Sequence, residues 1–68
     1  MRNDIRERRA ETGESQADLA AAVGVTRQSI NAIERGRYDP SLELAFALAD
    51  HFGCTIEDLF DPGIDDEE

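Results

Sequence analysis

Lysine is absent from this 68-residue sequence, and cysteine and histidine occur once each. No apolar run approaches the ~20 residues that span a membrane. Each absence closes a route. With Cys54 alone, no disulfide can staple the chain to itself. Cys54 and His51 are too few soft or borderline ligands for a structural metal, so no metal and no cofactor is expected. One histidine, one cysteine and no glycine-rich phosphate loop leave no group to activate, and an enzyme is not expected. A lone thiol without an export signal or membrane span points to the cytoplasm.

The chain is long enough for one domain with one small core. Chains of this size bury only about 60% of their unfolded surface, and a second subunit is the common supplement when disulfides and metals are missing. The net charge of −9 looks wrong for a partner of nucleic acid, but its distribution points the other way. All seven arginines lie before Asp39 together with six acids, whereas residues 39–68 hold ten acids and no arginine. The molecule is a dipole, and its N-terminal half can face phosphate.

Apolar residues recur at helical spacing, and nothing alternates long enough to suggest a strand. The spacing predicts a helix from about Asn3 to Thr12, stopped by Gly13. Ser15 caps a second, Gln16 to Val23, with Asp18 three residues on completing a capping box. Gly24 ends it, and Thr26 caps a third from Arg27 to about Arg35. Ser41 opens a longer helix to Phe52, where Ala45, Leu48, Ala49 and Phe52 mark the buried face. Thr55 with Asp58 opens a short fifth through about Phe60. Leu19, Val23, Val25, Ile30 and Ile33 complete the expected core. The fold class is all-α, a bundle of about five short helices.

The second and third helices are joined by Val23-Gly24-Val25, a tight glycine-bearing turn. Helix, short turn, helix is the unit that lays its second member in the DNA major groove, here across about residues 16–35. Val25 and Ile30 anchor the turn and the second member. Arg27, Gln28 and Ser29 then project outward, with side chains able to pair with guanine, adenine, and base edges or phosphate respectively. Gln16 adds an amide beside the N–H groups of a helix start, which favour phosphate.

These stretches carry a family resemblance. Ser15 to Ala20, Val23 to Ile30 and Ile33 to Gly36 resemble the Xre (Cro/cI, lambda-repressor-like) helix-turn-helix domain. The continuation Tyr38 to Ala45 and Ile56 to Phe60 is similar to the short stand-alone cytolysin-repressor-type regulators. The resemblance covers roughly residues 4–61, so residues 1–61 are expected as the DNA-binding domain and 62–68 as an acidic tail. It implies a transcriptional regulator, expected to be a repressor, binding a near-palindromic operator as a homodimer. It implies base contacts from Arg27, Gln28, Ser29 and Asn31, and phosphate contacts from Ser15, Gln16, Thr26, Arg35 and Arg37. Arg9 matches a family arginine that pairs with the glutamate at Glu34, tying the first helix to the third. Glu14 departs from the family, which usually has an apolar residue there.

Two uses stay open for Ile56, Leu59 and Phe60, which either complete the monomer core or, with Phe46 and Ile64, form a dimer seam. His51 is expected to interact with the dipole of the fourth helix, and Cys54 to be a loop or half-buried residue rather than a redox sensor. A protein-binding role as an antitoxin or anti-regulator, working through the acidic C-terminal face, is the rival reading. The polar, basic Arg27-Gln28-Ser29 face argues against it. Sixteen acids with no lysine also resemble the surface bias of proteins from extreme halophiles, although arginine-rich codon usage explains part of that pattern.

Overall fold

Hydroxyl side chains open four of the five helices among the described residues. The computed structural model describes residues 2–61, so the expected acidic tail, including Ile64, lies outside the described residues. Its elements are β1 (Arg2–Asn3), α1 (Ile5–Thr12), α2 (Gln16–Val23), α3 (Arg27–Glu34), α4 (Leu42–Phe52), α5 (Ile56–Leu59) and β2 (Phe60–Asp61). Ser15, Thr26, Ser41 and Thr55 each accept the backbone N–H three residues on, at 2.9, 3.1, 3.1 and 3.1 Å. At Ser15 and Thr55 the box is reciprocal, since Asp18 and Asp58 accept the N–H of the cap residue in turn. Each such cap stabilises its helix by about 1 kcal/mol.

The start of α1 differs from the sequence expectation. Asn3 does not enter the helix, because its side chain and backbone are used elsewhere. Its Oδ1 accepts the N–H of Ile5 at 3.2 Å, while its Nδ2 donates to the carbonyl of Ile33 at 2.8 Å. Asparagine side chains compete with the helix for backbone partners in this way. The backbone of Asn3 pairs with Phe60, and Arg2 with Asp61, in a two-residue antiparallel ladder. No strand was expected, and two residues are too few to show alternation. Phe60 correspondingly leaves α5 with extended dihedrals.

The core lies where α2, α3 and α4 meet and is closed by residues from both ends. Leu19, Ile30, Ile33 and Leu48 are fully buried, and so are Ile5 from α1 and Leu59 from α5. Ile5 was not in the expected core, since a single large apolar residue in an arginine-rich helix shows no periodicity. Val23, Val25 and Phe52 are half-buried at its edge. Phe60 is only 6% exposed, and Leu59 1%, so of the two uses left open both side chains serve the monomer core.

Candidate nucleic-acid interface

The turn between α2 and α3 sets the site. Gly24 has φ +78°, a left-handed conformation that strains any L side chain, and it reverses the chain within three residues. The N–H of Val25 returns to the carbonyl of Ala20 at 2.9 Å. Ala20 is buried, small enough to let α2 and α3 approach closely. Buried Ile30 and Ile33 face inward, so α3 presents its first turn outward. Arg27 and Gln28 are exposed, Ser29 and Asn31 half-buried. Arg27, Gln28 and Asn31 line one shallow polar depression.

The hydroxyls are partly engaged in structure. Ser15 and Thr26 accept cap bonds, and the Thr26 and Ser29 hydroxyls lie 3.0 Å apart. A hydroxyl that accepts a cap bond keeps its own O–H to donate. Arg35 and Arg37 are exposed in the loop after α3, where Gly36 adopts φ +74°. Residues 15–16 and 26–37 therefore bring serine, threonine, amide and guanidinium donors to the start and end of one helix pair.

A half-buried polar cluster locks this pair to α1. Arg9 reaches the Glu34 carboxylate through Nε at 2.6 Å and Nη2 at 3.2 Å, and its Nη1 donates to the carbonyl of Glu14 at 3.0 Å. The side chains of Arg9 and Glu34 are 16% and 5% exposed. The hydrogen bonds from Arg9 to Glu34 raise the guanidinium pKa above its ordinary value, so the charge is permanent. Gln16 Nε2 donates to the same carboxylate at 3.1 Å. Glu14 takes a role that an apolar residue cannot. Its carboxylate accepts Thr12 Oγ1 at 2.8 Å and lies 2.8 Å from His51 Nε2. The Thr12 hydroxyl, then His51, hold the Glu14 carboxyl below its usual range against the opposing effect of desolvation. His51 lies in the last turn of α4, as expected, and its Nε2 also meets Glu14 on the α1–α2 loop.

The matching family is the helix-turn-helix family HTH_3, over residues 5–59. The chain belongs to this family. An uncharacterized HTH-type transcriptional regulator of Methanocaldococcus jannaschii is 53% identical over 60 residues, spanning 88% of this chain and 91% of that protein. The restriction-modification controller protein C.AhdI of Aeromonas hydrophila superposes with a TM-score of 0.75 at 34% identity, over 82% of this chain and 85% of the controller. The DNA-binding domain of the P22 c2 repressor gives 0.72 at 34% identity, over 78% and 70% of the two chains. The five-helix, repressor-like fold of this helix-turn-helix chain is thus shared with proteins that match most of its length.

One apolar surface lies apart from the helix-turn-helix face. Leu42 and Phe46 are 69% and 59% exposed and line a groove with Ala45, Cys54, Ile56 and the edge of Phe60. Phe46 and Ile56 were singled out in the sequence, and Leu42 was missed. Its i, i+4 spacing from Phe46 marks a second apolar stripe on α4 beside the buried one. Cys54 is half-buried in this groove. Among the described residues no cluster of metal-ligating side chains occurs, and no helix is long and apolar enough to cross a membrane.

Proposed function

We propose that this helix-turn-helix chain is a sequence-specific, double-stranded-DNA-binding regulator of transcription that reads the major groove with α3. The observation that carries the reading is the outward first turn of α3, with Arg27, Gln28 and Asn31 on one surface. In that placement Arg27 suits guanine, Gln28 and Asn31 suit adenine, and Ser29 suits a base edge or phosphate. Ser15, Gln16, Thr26, Arg35 and Arg37 flank them and suit phosphates, which fix register without reading sequence. Family membership and relatives named as transcriptional regulators support the same role. Residues 1–61 form the DNA-binding unit, with 62–68 as an acidic tail.

The protein acts as a homodimer on a near-palindromic site and represses by occupying it. One helix-turn-helix unit covers few base pairs, and two must stand about 34 Å apart along the duplex to enter successive major grooves. The seam is the groove lined by Leu42, Phe46 and Ile56; among the described residues Leu42 and Phe46 are the most exposed large apolar side chains, Tyr38 standing apart in the α3–α4 loop. Selection of binding sites from a random duplex pool tests the reading. A near-palindrome with half-sites one helical turn apart is expected, and recovery of no enriched sequence would refute it.

A further inference from the structure

Glu34 is the last residue of α3, and its nearly buried carboxylate is held from two sides. Arg9 grips both oxygens, and Gln16 Nε2 donates to Oε1 at 3.1 Å. Gln16 is the first residue of α2, half-buried beside the Ser15 cap. A primary amide has two N–H donors in one plane. When one is bound to Glu34, the plane of the group and the direction of the second N–H are set before any ligand arrives. A bare carboxylate so close would repel a phosphate, and the permanent charge of Arg9 cancels it.

We propose that Glu34 is a positioning residue for DNA binding: without touching DNA, it presents the Gln16 amide to a backbone phosphate, with Arg9 neutralising its charge. The proposal rests on the reading of α2 and α3 as a DNA-binding pair. It makes the Arg9–Glu34 fork part of the interface as well as of the fold. It also accounts for glutamine at this position, since a neutral amide can donate to carboxylate and phosphate at once.

The test is a double-mutant cycle on the full chain, using a duplex that the wild type selects from a random pool. Gln16→Ala is expected to weaken binding about tenfold, on the scale of one hydrogen bond to a charged group. Glu34→Asp keeps a charge for Arg9 but is one methylene shorter, and is expected to weaken binding about fivefold in the wild-type background. In the Gln16→Ala background the same change is expected to cost less than about twofold, because the group it positions is gone. Equal losses in both backgrounds would overturn the proposal and leave the DNA-binding reading intact. Failure to select any duplex would overturn both. A second measurement stands if Glu34→Asp does not fold: NMR relaxation of the wild-type side-chain amides without DNA. The Gln16 amide is expected to be ordered, and motion as free as that of exposed Gln28 would overturn the proposal.

Discussion

Removing Arg9 strands a carboxylate that the fold has taken out of water. With Arg9→Met the aliphatic volume is kept, but Glu34, at 5% exposure, is left with the neutral amide of Gln16 as its side-chain donor. Breaking one member of a buried pair costs about 3–5 kcal/mol, because the other charge stays buried and uncompensated. A chain of 68 residues has a total stability of about 3–10 kcal/mol. Arg9→Met therefore removes a third or more of the stability and can unfold the protein outright. Urea unfolding followed by circular dichroism reads this directly. At about 1 kcal/mol per molar urea, the midpoint is expected to fall by about 3 M, or the folded baseline to disappear. Arg9→Met combined with Glu34→Leu removes both charges and is expected to recover most of the loss, since a hydrophobic replacement of a buried pair is often neutral or better. A midpoint shift below about 1 M for Arg9→Met is what an exposed ion pair would produce. That result, or a double variant no more stable than the single one, would refute the reasoning.

Four other outcomes follow from the same geometry. Arg27→Ala and Gln28→Ala are each expected to cost about 1–3 kcal/mol on the selected duplex and to relax base preference, whereas Arg37→Ala weakens matched and scrambled duplexes alike; equal losses on both duplexes for Arg27 or Gln28 would displace them from the base-reading role. Phe46→Arg, at a 59% exposed position, is expected to give a folded monomer by sedimentation with weakened operator binding, while Phe60→Arg, at 6%, disrupts the core and lowers the melting temperature; a wild type that sediments as a monomer at high micromolar concentration would remove the seam. The Glu14 carboxyl is held below its ordinary range first by Thr12 and then by His51, so its contribution is fully present above that range and is lost as pH falls through it; melting temperature is expected to fall from about pH 5 to about pH 3 more steeply in wild type than in Glu14→Gln, and parallel curves would contradict this. Finally, ten acids after Tyr38 without an arginine should repel one another less as the Debye length shrinks to about 3 Å in molar salt; thermal melts are expected to rise with KCl, and a flat or falling series would leave codon usage as the account of the missing lysine.

Local signals were legible wherever cause and effect lie within a few residues. Ser15 with Asp18, Thr26 with Ser29, Ser41 with Leu44 and Thr55 with Asp58 place four helix starts, because each cap closes over a single turn. Gly24 marks the turn, since its left-handed backbone suits no other residue as well, and the spacing Val25 to Ile30 decides which face of α3 is outward. The concentration of every arginine before Asp39 is likewise a property of the string of residues. Tertiary structure alone decided what crosses between elements. It joined Asn3 to Ile33, Gln16 to Glu34, and Glu14 to His51, pairs separated by 30, 18 and 37 positions. It buried Ile5, Leu59 and Phe60 within the monomer and left Leu42 and Phe46 outside. An amphipathic pattern says that a face is apolar; which neighbour covers it depends on how all the helices pack, and a two-residue strand pair exists only once that packing has brought residues 2–3 and 60–61 together.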